Sequence, residues 1–243
     1  MSSFQQGPVG GGFAPGRPIE YRSREQELTV GQFFNSVYAW MCAGLALTAV
    51  VSYLVAQSGR VFLTPGLLII SFIVQIALVM VIGRAINRIS APVATALFLV
   101  YAALNGVTLS VLFLLYTKVA LASTFIVTAG AFGAMSLYGY TTKRDLTRIG
   151  SFLFMALIGL VLASVVNIFL HSTMMAWIVS WVGVVVFVGL TAWDTQKLKM
   201  IALQTGDNPA LANRLAVVGS LTLYLDFINL FIFLLQVMND RRR

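Results

Sequence analysis

Residues 215–237 read LAVVGSLTLYLDFINLFIFLLQV. The run is long enough to cross a bilayer, which takes about 20 apolar residues in a helix. One carboxylate, Asp226, sits near its middle. At helical spacing Gly219, Thr222, Asp226, Asn229 and Phe233 fall on a single stripe. An ionised side chain at the centre of a bilayer costs at least about 2.5–3.5 kcal/mol. The stripe must therefore face other helices, and this segment belongs inside a bundle.

The rest of the composition agrees. Of 243 residues, 59% are hydrophobic and 10% are charged. Soluble domains carry about 25% charged residues, so the chain reads as an all-α membrane protein. A single cysteine, Cys42, excludes an intramolecular disulfide and argues against cysteine-based metal sites. The net charge of +8 does not point to nucleic acid. The basic residues cluster in short loops, as they do at the cytoplasmic face of a membrane. The first thirty residues mix Gly, Gln, Pro and Ser with charges, and lack the order of a cleavable signal peptide. The expected organisation is a flexible cytoplasmic tail at 1–30, one transmembrane domain at 31–238 and a basic tail at 239–243.

Runs without charge place the spans at 33–56, 65–83, 92–116, 119–140, 149–170, 174–194 and 215–237. Residues 149–193 are too long for one crossing, and the polar stretch at 167–172 is the natural break. The stretch 197–214 is expected to be the longest internal loop, with turn chemistry at 204–209. With the N-terminus inside, cytoplasmic segments hold Arg17, Arg22, Arg24, Arg84, Arg88, Lys143, Arg144, Arg148, Lys197, Lys199 and Arg214. The outer loops hold Arg60 and Lys118. Seven spans then put Arg241, Arg242 and Arg243 outside, against the bias. A re-entrant last segment would relieve this, but its apolar run is of full length. Within the fourth span, AGAFGAMS at 129–136 carries small residues four apart, a signal of close helix packing.

A second acid, Asp194, stands at the expected cytoplasmic end of the sixth span. It meets Asp226 if the sixth helix runs on or the seventh begins above the membrane plane. Arg84 ends the second span on the same side, with Arg88 as a competing partner. Two carboxylates sharing a site cannot both ionise cheaply, so such a pair holds a proton between them. Losing it recruits a counter-charge, either Arg84 or a hard cation such as Ca²⁺, for which two carboxylates make a weak, transient site. The plainer reading of Asp194 is a helix-end pair with Lys197. Gln75, Asn105, Asn167 and Asn229 read as interhelical glue, and Asn229 shares the face of Asp226 and could steady it. His171 is expected in an outer loop with no role.

Catalysis finds little support. The one histidine is poorly placed for a serine protease, and no Gly-x-Ser-x-Gly elbow, Walker loop or HExxH occurs. Two aspartates would suit an aspartyl protease, but their contexts lack its expected glycine and tyrosine neighbours.

TAWDTQKLK at 191–199 and LYLDFINLFIFLL at 223–235 resemble the two signature stretches of the Bax inhibitor family, and the resemblance extends over 30–238. It implies a seven-helix fold with the last helix central and six others wrapped around it, as in bacterial inner-membrane members. It also implies a pH-sensitive Ca²⁺ leak whose sensor is a pair of aspartates, here Asp194 and Asp226, latched by an arginine, which Arg84 matches by place. Members often carry a glutamate in the second helix, where this chain has neutral Gln75. Some bacterial relatives are instead associated with a membrane-bound ATP-dependent protease, which makes a modulator of such a protease the alternative. No cofactor is expected beyond Ca²⁺ as a permeant or weakly held ion.

Overall fold

The structure, a computed structural model, describes residues 19–58, 65–85, 89–205 and 208–240. The described residues form α1 (Ile19–Gln57), α2 (Pro65–Ala85), α3 (Ala91–Leu109), the single turn α4 (Leu112–Leu115), α5 (Lys118–Thr141), α6 (Thr147–Leu170), α7 (Thr173–Thr205) and α8 (Pro209–Asp240). Six segments are long and apolar enough to cross a membrane, with α3 and α4 counted as one. The 21 residues of α2 extend about 31 Å at 1.5 Å per residue, about the thickness of a bilayer's hydrocarbon core, so α2 has the length for a seventh crossing.

Local chemistry sets the boundaries. Proline opens α2 and α8, where its missing amide is no loss and its fixed φ suits a first turn. Asn208 caps α8 through Oδ1, which accepts from the Leu211 amide at 3.1 Å. Thr117 caps α5 by accepting from the Ala120 amide at 3.2 Å. The break expected at 167–172 is present. His171 closes α6 in the left-handed region (φ 50°), and the Asn167 carboxamide accepts from the Ser172 amide at 3.0 Å. His171 is exposed there.

α8 is the central helix. It packs on α7, α1, α5 and α3, and Leu223, Tyr224 and Leu230 are wholly buried. Only these four helices form its main surround, rather than six. α2 packs on α3 and α6 on α7, as an outer layer. Outer faces stay apolar: Phe152 is 69% exposed and Phe169 80%, a pattern that suits hydrocarbon rather than water.

Three sequence expectations change. α7 does not stop at Asp194 but continues to Thr205, and α8 begins at Pro209, so most of the expected loop at 197–214 is helical. The reason is that QKLKMIALQ keeps good helix formers after the charges begin, and Leu198 and Ala202 remain buried against the bundle. α1 starts at Ile19, so residues 19–30 of the expected tail are helical, as are 239–240 of the basic tail. Residues 1–18, Arg60, Arg88 and 241–243 lie outside the described residues. The small-residue signal also falls on a different face. A Cβ built on Gly130 or Gly133 meets nothing within 4 Å, whereas one on Gly139 would lie 2.2 Å from the Ala192 carbonyl oxygen. The close backbone approach of α5 to α7 is therefore at Gly139.

Candidate functional site: a carboxyl pair between α7 and α8

The seam between α7 and α8 sets the site. A glycine on one helix admits a large side chain from the other. Phe233 fills the space over Gly183, and Leu198 the space over Gly219, where a built Cβ would come within 2.6 and 2.7 Å respectively. The rings of Phe187 and Phe233 stack with centroids 5.7 Å apart. The stripe of Gly219, Asp226 and Phe233 is thereby turned onto α7.

Between these contacts the carboxyl groups of Asp194 and Asp226 come close enough to act on one another. A hydrogen bond between two carboxyl groups so placed would need a proton on one of them. Asp194 is 8% exposed and Asp226 5%, and Oδ2 of Asp226 has no hydrogen-bond partner among the described residues. Buried polar atoms are rarely left so, and such an atom marks a place where a proton, a water or a cation can be taken up. Among the described residues no third His, Cys, Asp or Glu joins the pair to complete a metal-binding group.

Surrounding hydroxyls are already engaged. Thr195 donates to the Thr191 carbonyl at 2.7 Å and exchanges a hydrogen bond of 2.9 Å with Ser136, which in turn bonds Tyr38. This polar chain ties α7 to α5 and α1 beside Asp194. Ser220 donates to the Ala216 carbonyl at 2.6 Å. Toward the α7–α8 turn, Val37 and Leu198 close over Gly219 as an apolar plug. Beyond it a cavity of about 450 Å³ opens, lined by Gln32, Ser36, Thr205 and Asn213 among others.

The other expected residues lie elsewhere. Arg84 is exposed at the end of α2, where its Nη1 approaches the Met80 sulfur at 3.8 Å. It is not brought to the acids, since α2 packs chiefly on α3. Asn229 donates to the Leu225 carbonyl of its own helix at 2.8 Å. Lys197 sits over the Trp193 ring, 5.3 Å from its centroid, and its charge still reaches the Asp194 carboxyl. Gln75 does act as glue, donating to the Leu104 carbonyl on α3 at 3.3 Å. Sequence reasoning missed the Tyr38–Ser136–Thr195 chain, the Val37–Leu198 plug and Gln196. The last of these holds the loop before α6 through the Leu146 amide at 2.9 Å and the Arg144 carbonyl at 2.8 Å. None had a sequence signal, because each depends on helices far apart in the chain.

The sequence profile described as "Inhibitor of apoptosis-promoting Bax1" matches residues 30–243, a region that holds both acids. The chain belongs to the Bax inhibitor family. Among relatives in this family, the inner membrane protein YbhL of Escherichia coli is 53% identical over 216 residues, covering 86% of this chain and 92% of that one. An uncharacterized protein of Borreliella burgdorferi is 42% identical, covering 92% and 99%. An uncharacterized membrane protein of Streptococcus pyogenes is 38% identical, covering 88% and 94%. This Bax inhibitor family member is thus an integral, multi-pass membrane protein, with a relative named for the inner membrane.

Proposed function

We propose that the protein is a pH-sensitive cation leak that passes Ca²⁺ and is gated by the shared proton of Asp194 and Asp226. The observation that carries this reading is the contact of two buried carboxyl groups, with one oxygen of Asp226 left unpartnered. While one proton is shared, the pair binds α7 to α8 and the Val37–Leu198 plug stays shut. When the proton leaves, two negative charges face each other in a low-dielectric seam. The seam then parts, or a cation enters between the carboxylates. Ca²⁺ takes about 6–8 oxygen ligands. Two acids supply too few to store it, which suits brief occupancy by an ion still carrying water. Arg84 can serve as a latch only if the end of α2 swings inward from its place on α3. In this reading the N-terminus is cytoplasmic and the cavity beyond the plug is the inner mouth.

The test is Ca²⁺ flux into proteoliposomes across pH. Wild type is expected to show a titration step that both Asp226→Asn and Asp194→Asn abolish, with thermal melts in detergent confirming that the variants fold. A wild-type-like pH dependence in Asp226→Asn overturns the proposal. Deleting residues 1–18 should leave the flux unchanged. A protein that acted by restraining a membrane protease through its tail would instead lose its effect on the protease in that deletion.

A further inference from the structure

α1 and α5 both pack on α8 but make little contact with each other. At the end near Asp194 they are drawn together by the Phe34–Tyr140 ring contact (5.1 Å) and the Tyr38–Ser136 hydrogen bond. Toward the other end they diverge, leaving a cleft of about 330 Å³ floored by Phe227, Ile228 and Phe231 of α8. That volume is in the range of ligand pockets, about 300–1,000 Å³. A second apolar hollow shares Leu45, Phe125 and Phe227 with it and continues the trough along the seam.

The chemistry of the cleft selects its occupant. Its two hydroxyl residues on α1 face away from a ligand. Thr48 donates to the Ala102 carbonyl at 2.9 Å and Ser52 to the Gly106 carbonyl at 2.7 Å. The interior therefore offers hydrocarbon contact only. Its rim carries one charge, Lys118, whose ammonium lies 5.8 Å from the Tyr53 ring centroid and so bridges the mouth from α5 to α1. Lys118 is the first residue of α5, where a cation opposes the helix dipole. The same dipole favours an anion beside it. A long apolar slot with a cation at its mouth fits an amphiphile with a hydrocarbon tail and an anionic head.

We propose that this cleft binds one acyl chain of an anionic phospholipid, with its phosphate held by Lys118. The chain reaches Phe227, the neighbour of Asp226, so the lipid braces the central helix on the side that α1 and α5 leave open.

The experiment is native mass spectrometry of the full chain in detergent, titrated with phosphatidylglycerol or with phosphatidylcholine of matched chains. Wild type should retain phosphatidylglycerol about fivefold better, the scale of one lysine at a membrane surface. Lys118→Gln should abolish that preference, while Lys143→Gln, just past the opposite end of α5, should keep it. Ala122→Trp, which fills the cleft from an exposed position, should remove the tightest-bound lipid of either kind. Preference that survives Lys118→Gln, or full retention in Ala122→Trp, overturns the proposal. So does a disulfide-linked dimer formed by Ala122→Cys in a Cys42→Ser background, since a second copy would then occupy the cleft.

Discussion

At the scale of single residues, Asp226 is held in place by what surrounds it rather than by a counter-charge. Two residues before it, Tyr224 is wholly buried, and its hydroxyl bonds the Thr48 hydroxyl at 2.7 Å. The Phe98 and Tyr101 rings flank it edge-on, 5.6 and 5.9 Å away. Tyr224→Phe keeps the rings and loses the hydrogen bond, so a melt in detergent should show a loss of about 0.5–1.5 kcal/mol. Asp145 provides a control for the pH response. The Thr147 hydroxyl, and its amide at 2.9 Å, hold the Asp145 carboxyl below the usual carboxylate range. Its contribution is present above the unfolded value of about 3.9 and is lost only as pH falls through the lower folded value. It is constant near neutrality, so Asp145→Asn should leave the midpoint of the flux profile unmoved. A displaced midpoint would assign the titration to this loop instead of to the buried pair.

At the scale of elements, helix contacts are decided by which glycines face a neighbour. Gly139 lies against the backbone of Ala192, which cannot retreat as a side chain end can. Gly139→Ala should destabilise the α5–α7 contact by about 1–3 kcal/mol, as overpacking does. Gly130→Ala, at an open position, should be neutral or slightly stabilising because it removes backbone entropy from the unfolded chain. Comparing the two melts tests the placement of that contact. The sequence showed small residues in the fourth span but not which of them faced α7, since the exposed Gly130 and Gly133 and the buried Gly139 have the same composition signal. The extension of α7 to Thr205 was hidden in a similar way. Charges at 197 and 199 read as a membrane boundary, yet a helix can pass that boundary while Leu198 and Ala202 still pack.

At the scale of the whole molecule, α8 is an unbroken helix of 32 residues, about 48 Å long. That is length enough for a full crossing, and seven crossings would put the two chain ends on opposite faces. Fusing a topology reporter to each end should report opposite sides, and a shared side would remove one crossing. Composition and charge-free runs by themselves determined the membrane class, the approximate places of the apolar helices and the two acids. Those follow from the cost of placing charge in hydrocarbon, which a sequence displays directly. The identity of the central helix was also legible, because a polar stripe in a spanning segment has to be shielded. Only the tertiary structure decided that Asp194 and Asp226 touch and that Arg84 stands apart from them. It alone placed the apolar plug at Val37 and Leu198, and the open seam between α1 and α5. These depend on helix rotation, crossing and extension beyond the membrane plane, which arise from packing between segments far apart in the chain.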